Sequence, residues 1–126
     1  MKKIKKLLKP YYLFSFFIPF FILFLTYFIN GIYWKSDTSP LLGDGFHQYV
    51  IFDVTLRNIL HGTDSIFYTF TSGLGLNFYA LSSYYLGSFL SPLVYFFNLK
   101  NMPDAVYLFT LIKFGLMGLT CFISIK

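Results

Sequence analysis

Residues 11–34 read YYLFSFFIPFFILFLTYFINGIYW, and before Gly31 the only small polar side chains in this run are Ser15, Thr26 and Asn30. About 20 predominantly apolar residues suffice for a helix to cross the hydrocarbon core of a bilayer. The run therefore predicts a first transmembrane helix over 11–34. Tyr33, Trp34 and Lys35 suit an interfacial belt at its far end. A cleavable signal peptide is the competing reading, but its apolar region spans about 7–15 residues and ends on small side chains. This run is longer and ends on Asn30, Gly31, Ile32, Tyr33 and Trp34. Pro19 is expected to kink the helix, which membrane helices tolerate when neighbours satisfy the freed carbonyl.

Composition places the whole chain in the same class. Of 126 residues, 56% are apolar, 24% are aromatic and only 12% are charged, which a water-soluble surface does not accommodate. The formal charge of +5 is concentrated at one end: Lys2, Lys3, Lys5, Lys6 and Lys9 supply half the basic residues, and the rest balance the five Asp. A basic tail at 1–10 followed directly by an apolar helix fits retention on the cytoplasmic side better than nucleic-acid binding. Cys121 is the single cysteine and forms no internal disulfide.

Residues 35–77 carry four of the five Asp, with Pro40, Gly43, Gly45, Gly62, Gly73 and Gly75 as punctuation, and are expected to form an extracytoplasmic loop. Within it, 46–61 contains neither proline nor glycine. That stretch predicts a helix with Asp44 or Gly45 near its N-cap and Gly62 just past its end. At 100° per residue His47, Gln48, Thr55 and Asn58 share one side with Ile51, while Asp53 and Arg57 fall opposite. Two polar faces suit a helix lying at the membrane interface and packed on both sides. A second span is expected at 78–99, softened by Ser82, Ser83, Ser88 and Ser91 and kinked at Pro92. A cytoplasmic turn at 100–104 and a third span at 105–125 complete an all-α membrane protein of three transmembrane helices. Lys113 falls in mid-span, where an unpaired charge costs roughly 3 kcal/mol or more. Three helices do not readily enclose it, so the chain is expected to be the front part of a larger polytopic fold.

Asp44 is the leading candidate for a general base, because a carboxylate at the membrane surface can accept a proton from an incoming hydroxyl. The structural alternative is that Asp between two glycines turns the chain and caps the helix. Asp53 and Arg57 have the spacing and order of a helical ion pair, which competes with a phosphate-holding role for Arg57. His47 and His61 lack the spacing of a metal site, and no metal or other cofactor is expected. Residues 71–77, TSGLGLN, lack the third glycine of a dinucleotide fingerprint and the lysine of a P-loop. They read as a re-entrant turn whose polar side chains could touch a sugar.

The succession Gly43-Asp44-Gly45-Phe46-His47-Gln48-Tyr49, then Tyr68 to Gly75, Tyr84-Tyr85-Leu86-Gly87-Ser88 and Lys113 to Leu119 resembles the amino-terminal region of the bacterial YfhO family of polytopic membrane proteins. These resemble GT-C glycosyltransferases, which take sugar from a polyprenyl-phosphate-linked donor on the outer face of the membrane. The resemblance implies a cell-envelope glycopolymer acceptor such as lipoteichoic or wall teichoic acid, a GT-C-like fold and Asp44 as catalytic base. It further implies substrate-binding roles for Gln48, which would orient the acceptor, for His47 beside it, and for Arg57 and Lys113 toward the donor phosphate. The competing classes are a truncated or small assembly subunit without activity, and a flippase or transporter fragment.

Overall fold

The computed structural model describes residues 10–125, so all but the last residue of the expected basic tail lies outside the described residues. Among these the chain is helical, with one isolated antiparallel bridge between Thr69 and Leu76. Helix α1 spans Pro10–Ile29, α2 Val50–Leu60, α3 Phe78–Tyr85 and α4 Met102–Ile125. A π-helical turn, Gly45–Tyr49, runs directly into α2, and short 3-10 turns occupy Ser91–Phe96 and Leu99–Asn101. The chain forms two compact units, one from the stretch up to Thr38 together with that from Tyr107 onward, the other from Ser39–Val106.

In the first unit, α1 and the greater part of α4 pack antiparallel. Tyr12 meets Phe122 edge to face at 5.4 Å and Tyr27 lies 5.7 Å from Tyr107, so the order of contacts reverses along the two helices. Pro19 cannot donate to the Ser15 carbonyl one turn back. Gly118 lies against that same carbonyl and the Pro19 ring, where a methyl group would collide with both. Only Tyr12 of the 20 residues of α1 is buried, and the rest presents an apolar surface that includes Phe14, Ile18, Phe21, Leu25 and Phe28. At 1.5 Å per residue 20 residues span about 30 Å, the thickness of a bilayer core. Two helices, Pro10–Ile29 and Leu99–Ile125, are long and apolar enough to cross.

Helix α1 stops at Ile29, short of the expected 34, because Gly31 (φ 76°) takes the left-handed conformation while its N–H bonds to Phe28 O and that of Ile32 to Tyr27 O. This is a Schellman stop. Gly62 (φ 76°) ends α2 in the same way, its N–H bonding to Ile59 O and that of Thr63 to Asn58 O.

The buried hydroxyl of Tyr107 meets no hydrogen-bond partner among the described residues. An unsatisfied buried polar group costs about 1–3 kcal/mol. Tyr107→Phe is accordingly expected to leave the chain at least as stable as wild type, and by up to about 1 kcal/mol more so. A thermal melt of the detergent-solubilised chain checks this, and a clear drop in melting temperature would mean that the hydroxyl is engaged in the membrane.

In the second unit the predicted helix over 46–61 is present, as the π turn and α2. Phe52 packs with Phe78 and Leu86 in a core flanked by Ile51, Leu56, Ile59 and Leu81. Asp53 and Thr55 are also buried, so α2 is covered on more than one side.

The expected second span at 78–99 is not a continuous helix. Helix α3 has only 8 residues, about 12 Å, and its last backbone bond runs from Leu86 N to Ser82 O. Beyond it the Ser88 hydroxyl accepts from Leu90 N and the Ser88 carbonyl from Ser91 N, so serine competes with the helical ladder at the point where Gly87 already weakens it. Pro92, with no N–H, then starts a 3-10 turn. The expected turn at 100–104 is also displaced: α4 begins at Met102, with Asp104 in its first turn.

Candidate functional site

The π turn sets the geometry around Asp44. Its wider spiral precedes α2 without interruption, and Asp44 itself has helical angles (φ −60°, ψ −28°) with no capping bond from its side chain. The carboxylate that sequence alone could assign to capping is thus free of that duty. It is exposed, and its Oδ1 accepts from Gln48 Nε2 at 3.3 Å. Gln48 Oε1 in turn accepts from the Tyr85 hydroxyl at the end of α3. The amide orientation follows from its partners, since a carboxylate only accepts and the phenol here donates. Tyr85 lies against Phe52 (5.0 Å) and edge-on to Tyr49 (5.4 Å) and Tyr84 (4.6 Å). Partial desolvation, with smaller contributions from Tyr84, the Asp44 carboxylate and Tyr49, raises its pKa above the ordinary tyrosine value. The phenol therefore stays protonated at neutral pH and remains a donor.

Asp44, Gln48 and Tyr85 form one chain of hydrogen bonds across two helices. His47 does not join it: the imidazole is exposed and stands edge-on to Phe46 at 5.4 Å. Arg57 is 13 positions further along a continuous helix, about 20 Å from Asp44 at the usual rise. Its Nε donates to the Phe97 carbonyl and its Nη1 lies 3.5 Å from Asn58 Oδ1. His61 stacks on Tyr95 with 4.4 Å between ring centroids and its Nε2 is 3.1 Å from the Tyr95 carbonyl. Arg57 and His61 thus clamp the end of α2 to the segment around the first 3-10 turn. Lys113 is exposed on α4, in the other unit.

The loop at 71–77 is a closed turn. Thr69 and Leu76 exchange both backbone bonds at 2.9 Å, and Thr71 Oγ1 links Thr69 Oγ1 (2.8 Å) to Thr55 Oγ1 of α2 (3.3 Å). Asn77 caps α3, its Oδ1 accepting from Tyr79 N at 3.0 Å and Ala80 N at 3.4 Å. Sequence reading missed both Asn77 as a cap and Tyr85 as the third member of the Asp44 chain. An Asn just ahead of an apolar helical run is a cap signal. No local signal links Tyr85 to Gln48, 37 residues away.

A family model described as bacterial membrane protein YfhO matches residues 15–126. The chain belongs to the YfhO family. The match begins inside α1 and takes in Asp44, Gln48, Tyr85 and Lys113, so the hydrogen-bonded chain falls wholly within the YfhO region. Family membership and two apolar helices of spanning length make this a membrane protein. No curated protein and no solved structure gives a significant match.

Proposed function

We propose that this YfhO-family chain is part of a membrane glycosyltransferase that moves a sugar from a polyprenyl-phosphate donor to a cell-envelope glycopolymer, such as lipoteichoic or wall teichoic acid, on the outer face of the membrane. The observation that carries the reading is the state of Asp44: exposed, without a capping bond, and held at one oxygen by a glutamine that Tyr85 orients. Held in this way, the carboxylate is turned in one direction while its other oxygen is open to an acceptor. In the proposed step the acceptor hydroxyl attacks the anomeric carbon, its proton passes to Asp44, and the bond from that carbon to the phosphate oxygen breaks. Polyprenyl phosphate leaves with the electron pair, and configuration inverts. Lys113, exposed on α4, is a separate candidate for meeting a lipid-linked phosphate, since a charge within a membrane helix is costly unless a partner meets it. Arg57 is better read as the clamp on Phe97 than as a phosphate ligand. His47, exposed on the π turn, would contact the substrate beside Gln48. The test is sugar transfer by membranes containing the Asp44→Asn variant.

The same reading puts the lysine-rich start of the chain in the cytoplasm. Because α4 runs back along α1, a bilayer crossed by these two helices leaves residues 30–101 on one side, outside, together with Asp44. A cysteine placed at Ser39 and one placed at Asn101 are then both expected to react with a membrane-impermeant reagent in intact cells. Three alternating spans predict labelling at Ser39 alone, and labelling at neither would reverse the orientation.

A further inference from the structure

Residues 65–99 carry no charged side chain, yet no helix within them is long enough to cross a bilayer. Near the start of this stretch, the turn around the Thr69–Leu76 bridge is built inside out. Side chains alternate across extended backbone, and where one side meets water the apolar ones point inward. Here Thr69 is the buried residue, its hydroxyl 2.8 Å from that of Thr71, while Tyr68 and Phe70 on either side of it are exposed. Phe67 is 73% exposed, Phe70 79% and Leu74 98%. The turn that holds them is fixed. Thr69 and Leu76 exchange both backbone bonds, and the Tyr68 hydroxyl donates to the Leu74 carbonyl at 3.3 Å. The Tyr68 ring lies so close against Gly75 that a Cβ there would collide with it. Phe70 and Leu74 are therefore held outward by a closed turn, not left out by a loose one.

We infer that this turn is a lipid anchor, with Phe67, Phe70 and Leu74 inserted into the interfacial layer of the bilayer. The chain enters the second unit soon after α1 ends and leaves it within α4, between Val106 and Tyr107, so both of its ends are tied to helices of spanning length. A bilayer is thus always close at hand. The three side chains expose roughly 500 Å² of apolar surface, taking about 200 Å² for a large ring. That falls short of the about 800 Å² that each partner gives to a stable protein–protein interface, but lipid sets no such minimum. With no charge from 65 to 99, nothing on this stretch must be stripped of water at great cost when the turn enters the interface. Aromatic rings are favoured at that depth. The inference goes beyond the sugar-transfer reading and uses none of the residues proposed for it.

Tryptophan fluorescence tests this in the full chain reconstituted into phosphatidylcholine vesicles. Trp34→Phe removes the single tryptophan, and Phe70→Trp or Leu74→Trp then places one on the turn. Leu74 is almost wholly exposed, so Leu74→Trp disturbs no packing even if Phe70→Trp does. Both variants are expected to lose most of their emission to phosphatidylcholine brominated on its acyl chains, at a ring depth of about 5–10 Å into the headgroup and acyl boundary. Acrylamide in the water should quench them little. Strong quenching by acrylamide with no loss to brominated lipid would leave the turn in water and overturn the inference. Shielding from both quenchers overturns it too, because protein then covers the turn, and dependence of that shielding on the protein-to-lipid ratio would identify a second copy as the cover. Asp44→Asn is expected to leave the quenching unchanged, so the anchor and the sugar-transfer reading fail independently.

Discussion

Asp44→Asn is expected to lower sugar transfer by about 100-fold or more while leaving the amount of protein in the membrane unchanged. Asparagine has nearly the same shape, and its Oδ1 can still accept from Gln48 Nε2, so the hydrogen-bonded chain to Tyr85 survives. It makes no difference to capping, because the carboxylate makes no capping bond. What is lost is a group able to take a proton at neutral pH. A structural role for Asp44 would instead appear as reduced abundance or a lower melting temperature, with the remaining protein fully active. The contrast with Asp53→Asn sharpens the test. Asp53 is buried on α2, and its replacement is expected to affect stability more than turnover. Transfer at the wild-type rate by Asp44→Asn would remove Asp44 as the base and leave the glycosyltransferase reading resting on the family resemblance alone.

The parts of this structure that were legible in the sequence are those governed by local rules. Helix α1 follows from a long apolar run, and the helix over 46–61 from an absence of breakers ended by Gly62. The interruption after Tyr85 is not legible from hydropathy, because 78–99 carries no charged side chain and reads as one apolar run. What decides it is backbone competition at Ser88, next to Gly87 and ahead of Pro92, and hydropathy does not register which carbonyl a serine N–H prefers. The candidate site divides in the same way. Asp44 and Gln48, four apart on one helix, were both singled out from sequence. Tyr85 was not, because its link to Gln48 depends on how α3 packs against α2 through Phe52, Phe78 and Leu86. The role of Arg57 shifted for a similar reason: its partner, the Phe97 carbonyl, is 40 residues away and is a backbone group that no pattern of side chains announces.

Gly118→Ala is expected to destabilise the paired spanning helices by about 2 kcal/mol, within the range for forcing an extra methyl group into a close contact. The sign carries the argument. In an isolated helix alanine is favoured over glycine by about 1 kcal/mol, so if α1 and α4 did not pack, the substitution would stabilise the chain. In the packed pair the new methyl group meets the Pro19 ring and the Ser15 carbonyl, and a backbone oxygen cannot rotate out of the way. Pro19 and Gly118 are therefore coupled: the proline frees a carbonyl in α1, and the glycine lets α4 approach it closely, as small residues do between membrane helices. Gly115→Ala is the matched comparison. Its Cβ would lie 2.8 Å from the Phe16 ring, which belongs to a side chain that can turn, so its net effect should be smaller and closer to zero. Thermal melts of both variants in detergent decide the matter, and a melting temperature for Gly118→Ala at or above wild type would break the pairing of α1 with α4.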